Sequence, residues 1–333
     1  MSETYYVGMA WSSTLDVLAL WRWDNVLQLW PCCAAGVLGP APVRVWHMVR
    51  DAPFEGPCTA AMVFVGTRLF LHALKGVQTC TLRRGDSPAR TQTSKWATWC
   101  TDTPSPVALA GNTRAHTLAL LACGRYGWPS HVRVYRDDQG RGGCPQGGWP
   151  LVHVFEMPTA WPMTMHLAVG DDGRTLALGS SCFLHLVAWG TDGADADTRA
   201  TTVALGNRHM QLPRHIQYRA VEGGCWVVAA AHARLADAVS VATVRGDGSV
   251  AWGPELGREV KAWQVVILGY TAGTVLHTSN TPDGILLVPW DWRHAGATTP
   301  AQPGRLSSSR LRRGWLGLLV TRTHTAMGMG TAG

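Results

Sequence analysis

The sequence predicts an all-β chain assembled from one sheet unit used repeatedly, and three observations predict it. Runs of about five to eight apolar or alternating residues recur along the chain, each ended by Gly, Pro, Asn or Asp. Apolar opening strands return at a spacing of roughly 50 residues, the signature of a repeat architecture. No stretch of a dozen residues sustains the 3.6-residue spacing of a buried helix face; the best candidate, residues 228–239, reads equally well as two strands around a turn.

Six segments carry the repeat. They open near Tyr5 (YYVGMAW), Thr59 (TAAMVFVG), Pro106 (PVALAG), Met163 (MTMHLAVG), His215 (HIQYRAV) and Ala262 (AWQVVILG). The fourth segment shows the unit best, with strands at 163–169, 174–179, 183–189 and 201–205. The fifth repeats the order at 215–221, 225–231, 239–244 and 249–252. Between strands lie Gly170-Asp171-Asp172-Gly173 and Gly246-Asp247-Gly248, the residues that a tight turn needs. One four-stranded antiparallel sheet cannot bury both faces, whereas a closed ring of such sheets can. The expected fold is therefore a β-propeller of about six four-stranded blades, with seven as the alternative. The 17 tryptophans suit the space between blades, which takes large flat side chains.

The units resemble WD-repeat blades. In that pattern a first strand ends in a Gly-Asp turn, a second reads Leu-Ala-Leu, and a third ends in Trp or Tyr. His131-Val132-Arg133-Val134-Tyr135-Arg136-Asp137 and Ile285-Leu286-Leu287-Val288-Pro289-Trp290-Asp291 stand where such a repeat has its Trp-Asp, over residues 5–295. The Gly-His that opens a regular repeat is missing throughout, so the family within propellers stays open, with kelch-like and sialidase-like rings as alternatives. Beyond the ring, residues 296–313 read as a Pro/Ser/Arg-rich loop. Residues 314–322 read as a late strand that closes the ring, and 323–333 as a flexible tail.

Composition narrows the class. Hydrophobic residues make up 46% of the 333 and charged residues only 15%, which excludes a largely disordered chain and fits many half-buried strands. The net charge is +7, but the cations are dispersed and almost all arginine, a pattern of compositional bias; nucleic acid is not the expected partner. Nine cysteines without a Cys-x-x-Cys pair suggest neither a disulfide framework nor a zinc ribbon. With no basic-then-apolar N-terminal stretch and no long apolar run, an intracellular, cytoplasmic protein without a membrane span is expected.

Chemical motifs resolve mostly into turns. Gly328-Met329-Gly330-Thr331-Ala332-Gly333 spells a dinucleotide fingerprint, but the helix that must follow is lacking. Arg245-Gly246-Asp247 falls where a hairpin turn is required. The run Gly179-Ser180-Ser181-Cys182 ends a strand and could expose a hydroxyl, but spacing assigns it no base partner. No catalytic residue, metal ligand or cofactor is nominated. His166, Asp171 and His215 are expected to line the channel, on or beside inner strands. Trp128 and Trp149, set in Gly-Trp-Pro turns, are candidate anchors for a partner, as are Arg305, Arg310, Arg312 and Arg313 in the one concentrated basic element. The reading favours a non-enzymatic, monomeric interaction module that binds a protein. A propeller hydrolase or lyase with a polar site at the channel mouth is the alternative.

Overall fold

A computed structural model gives the fold. It describes residues 6–22, 24–31, 41–47, 62–73, 76–83, 92–93, 96–100, 106–123, 129–137, 149–158, 164–180, 183–190, 198–205, 211–219, 224–232, 239–252, 264–268, 273–278 and 285–290. Packing divides the chain into Met1–Gly296 and Ala297–Gly333, and every described residue lies in the first unit. The expected basic loop, closing strand and tail lie outside the described residues.

All described elements are strands, paired antiparallel in six sheets. Sheet 1 holds β1 (Tyr6–Ser12), β2 (Val17–Arg22), β3 (Val26–Pro31) and β4 (Arg44–His47) in that order. Sheet 2 holds β5 (Met62–Val65), β6 (Arg68–Ala73) and β7 (Gly76–Arg83), with β8 (Gln92–Thr93) and β9 (Ala97–Cys100) both paired to β7. Sheet 3 holds β10 (Pro106–Asn112), β11 (Thr117–Cys123), β12 (Pro129–Arg136) and β13 (Leu151–Glu156). Sheet 4 holds β14 (Thr164–Val169), β15 (Thr175–Ser180), β16 (Phe183–Ala188) and β17 (Arg199–Ala204). Sheet 5 holds β18 (Gln211–Arg219), β19 (Cys225–His232), β20 (Val239–Arg245) and β21 (Val250–Trp252). Sheet 6, among the described residues, holds β22 (Gln264–Leu268), β23 (Gly273–Thr278) and β24 (Ile285–Trp290).

The first strands close a circle. β1 packs against β5, β5 against β10, β10 against β14, β14 against β18, β18 against β22, and β22 against β1. Six meandering sheets joined through their innermost strands define a β-propeller. The repeat is also written into the register. β1, β10, β14 and β18 each carry one irregularity near their start, between Tyr6 and Gly8, Pro106 and Ala108, Thr164 and His166, and Pro213 and His215. An extra residue there bends each inner strand at the same level.

Between successive sheets lie separate apolar cores, and these explain the Leu-Ala-Leu pattern. Leu118 and Leu120 join the core between sheets 2 and 3, while Ala119, pointing the other way, joins that between sheets 3 and 4. Leu176 and Leu178 likewise face sheet 3, and Ala177 faces sheet 5. Alternation along a strand thus puts bulk on one face and a methyl on the other, so that neighbouring sheets interdigitate. Aromatic pairs fill the slots: Trp46 against Trp96 between sheets 1 and 2, Trp99 against Trp149 between sheets 2 and 3, and His153 stacked on Trp189 between sheets 3 and 4.

Where inner strands approach most closely, even a methyl is too large. A Cβ on Gly111 would lie 2.5 Å from Val65 Cγ2 and 3.0 Å from the Phe64 carbonyl oxygen. Gly111→Ala is therefore expected to destabilise the fold by about 1–3 kcal/mol, read as a lower denaturation midpoint with unchanged slope.

The outermost strands differ. β4 and β17 are largely exposed, and β13 exposes Leu151, Val152 and Val154. Among the described residues no helix is long and apolar enough to cross a membrane.

Candidate functional face at the turn end of the ring

β1, β10, β14 and β18 each run from an irregularity to the turn that leads into the second strand, so the ring has two unlike ends. His166 and His215 stand just past the irregularities of adjacent inner strands, paired with Gly179 and Ala229. They therefore occupy equivalent levels near the entry end. Asp171 lies in the turn after β14, five residues on from His166, and at ~3.3 Å per residue the two backbones are about 16 Å apart. The structure brings the two histidine positions to one level and places Asp171 at the opposite end.

At that turn end the blades are cross-braced. The Gly66 N–H of sheet 2 donates to Thr113 Oγ1 of sheet 3 at 3.0 Å. Asn112 Nδ2 donates to the Val169 carbonyl at 3.1 Å and to Asp171 Oδ1 at 2.8 Å, joining sheets 3 and 4. Its own Oδ1 accepts from the Ala115 N–H at 3.0 Å and so holds the turn that follows β10. Ser12 does the same in sheet 1, accepting from the Leu15 N–H at 3.3 Å. Arg114 pairs with Asp171 at 3.3 Å while remaining 72% exposed.

Arg136 Nη2 donates to the Gly173 carbonyl at 2.7 Å. Gly173 has φ of 64°, and a Cβ there would lie 2.8 Å from both that nitrogen and Thr117 Oγ1, so glycine alone fits. Asp172 caps its own turn by accepting from the Arg174 and Thr175 amides. Tyr218 of sheet 5 stands beside this turn: burial first, then the negative charges of Asp172 and Asp171, push its phenol above the usual range.

Two non-glycine residues of this end adopt left-handed backbone, Asp16 at φ 52° and His116 at φ 48°. Such strain costs about 1–2 kcal/mol per residue and tends to gather at binding surfaces.

A second polar cluster lies toward the entry end of sheet 4. Ser180 Oγ is 2.7 Å from His185 Nε2, and His185 Nδ1 is 3.0 Å from Thr202 Oγ1. The chain ties three strands together, and burial lowers the His185 pKa to about 4. Residues 180 and 185 are diagonal neighbours across a hairpin, so this pairing was readable from register but not from linear spacing.

Of the remaining candidates, Trp149 is only 8% exposed. Its ring meets Phe70 at 5.2 Å and Trp99 at 6.0 Å, with the Arg68 guanidinium 5.9 Å from its centroid, so its area is engaged in packing between sheets 2 and 3. Trp128, Arg305, Arg310, Arg312 and Arg313 lie outside the described residues. Arg245, Gly246 and Asp247 form an exposed hairpin turn, closed by the Gly248 N–H donating to the Arg245 carbonyl and the Ser249 N–H donating to Asp247 Oδ1. Among the described residues no group of three or more His, Cys, Asp or Glu could hold a metal ion.

The class defined by the ring is the β-propeller. No family model matches the chain, and a comparison with curated proteins finds no match. Among solved structures the chain is similar to the crystal structure of a protein from Lactobacillus plantarum, a structural-genomics target. The two share 13% identity over 86% of this chain and 85% of that one, with a TM-score of 0.48. The fold assignment rests on the strand pairing and ring closure above.

Proposed function

We propose that the chain is an interaction module, a WD-repeat-like propeller that binds a protein partner through the turn end of its ring. The observation that supports this is the cross-bracing of turns from successive sheets through Thr113, Asn112, Asp171 and Gly173. Loops held this way lose little entropy on binding, and they keep Arg114 and His116 exposed on a rigid frame. On this reading the module is monomeric, intracellular and without catalytic chemistry of its own.

Affinity capture with the full chain tests it, comparing the native sequence with Arg114→Ala combined with His116→Ala. The account expects the double variant to lose captured protein while melting cooperatively at an unchanged temperature. An unchanged set of captured proteins would overturn it. Substituting alanine at Arg305, Arg310, Arg312 and Arg313 in parallel is expected to leave capture intact.

The hydrolase alternative draws on the Ser180–His185–Thr202 chain, which has the connectivity of an activated serine. Two facts weigh against it. Ser180 and His185 are 4% and 2% exposed, and an imidazole with a pKa of about 4 is a weak base at neutral pH. Incubation with a fluorophosphonate probe is expected to leave Ser180 unlabelled; an adduct abolished by Ser180→Ala would establish the enzyme instead.

A further inference from the structure

Several arginines that look scattered in sequence gather at one end of the ring. Arg136, Arg199 and Arg245 pair with Thr117, Ala188 and Cys225, which are the first residues after a turn or, for Ala188, the partner of one. Arg83 lies beyond that level, on the segment where the Leu82 N–H donates to the Thr67 carbonyl of the turn after β5. Arg114 and Arg174 are in the turns themselves. Sheets 2, 3, 4 and 5 thus each contribute arginine to the turn end. Arg83, Arg114, Arg199 and Arg245 are exposed.

Several aspartates share this end, and the carboxylates of three of them are engaged in building it. Asp171 accepts from Asn112 and Arg114, Asp172 from the amides of its own turn, and Asp247 from Ser249. Arg83, Arg199 and Arg245, on sheets 2, 4 and 5, are exposed at this end.

We propose that the turn end is a docking face for an acidic protein segment, whose carboxylates meet the exposed arginines of sheets 2, 4 and 5. This deepens the module reading and rests on its choice of face. A guanidinium fork matches a carboxylate in bidentate geometry, and complementary charge chiefly sets the encounter rate and the choice of partner. Nucleic acid fits less well. The interspersed Asp172 and Asp247 oppose a continuous phosphate backbone.

Fluorescence anisotropy on the full chain tests the proposal, with a labelled poly-Glu peptide and a labelled oligothymidylate as probes. The expected result is peptide binding at low salt that weakens about tenfold or more in the Arg83→Glu, Arg199→Glu, Arg245→Glu triple variant and fades at high salt. The corresponding Arg→Gln triple should fall between, which guards against a folding defect. Arg22→Glu, at the other end, should change nothing. Absence of peptide binding, tighter binding of the oligothymidylate, or loss of peptide binding on substituting Arg305, Arg310, Arg312 and Arg313 would each overturn it. The capture comparison above separates the two failures: if Arg114 and His116 still govern capture, the face stands and only the acidic partner falls.

Discussion

Lowering the pH from 7 to 4.5 is expected to remove about 2–3 kcal/mol of stability for each of two histidines, His185 and His72. Burial holds both at a pKa of about 4 in the folded ring, against an ordinary value of 6.5. In the unfolded chain each takes up a proton as the pH falls through 6.5, while in the fold each stays neutral until about 4. Stability is therefore full above 6.5, is lost progressively below it, and levels off near 4 as far as these two groups are concerned. Burial also lowers His131 and His153, which adds to the trend in the same direction. Urea denaturation across this range checks it. His185→Gln and His72→Gln should each flatten the slope, and a midpoint that does not move between pH 7 and 4.5 would refute the assignment.

Phe70→Ala is expected to cost about 3–5 kcal/mol. The ring is fully buried between sheets 2 and 3, edge-on to Trp99 at 5.4 Å and to Trp149 at 5.2 Å, in the core that holds Leu118 and Leu120. On β6 it takes the slot that Ala119 and Ala177 take in sheets 3 and 4, and across that slot Gly111 makes room for sheet 2. Truncation leaves a cavity bounded by rigid rings that cannot collapse, and it removes two aromatic contacts. Phe183→Ala, at an exposed ring, is the control and should change stability by less than about 0.5 kcal/mol. Equal losses at the two sites would show that sheets 2 and 3 are not packed as described.

The inner half of the blades in sheets 1 to 5 was legible in the sequence because its strands bury both faces. Residues 163–169 and 174–179 were expected as strands and are found at Thr164–Val169 and Thr175–Ser180. In sheet 5 the inner strand begins earlier than expected, at Gln211, because Pro213 beside the irregularity breaks the apolar run without breaking the pairing. The outer strands were hard to see for the opposite reason. Arg44–His47 and Leu151–Glu156 are largely exposed, each with one aromatic (Trp46, Phe155) turned to a core, so little alternation marks them, whereas the strand expected at 201–205 is found at Arg199–Ala204.

The turn-end braces join residues such as Asn112 and Asp171, 59 apart, and the arginines likewise recur about one repeat apart. Spacing by one blade was the available signal, and it becomes a contact only once the ring closes. Asp171 was grouped with the channel histidines because it follows the same strand. Strand direction carries it to the other end of the inner strand from His166.

Closure of the ring is the claim on which all this stands, and hydrogen exchange at β1 and β22 tests it most directly. These strands are the first and last inner strands in sequence and touch only if six sheets form a circle. The account predicts that their amides exchange together, in the same slow class as those of β10 and β14, because parting them opens the whole ring. Fast exchange of both β1 and β22, with sheets 2 to 5 still protected, would contradict it.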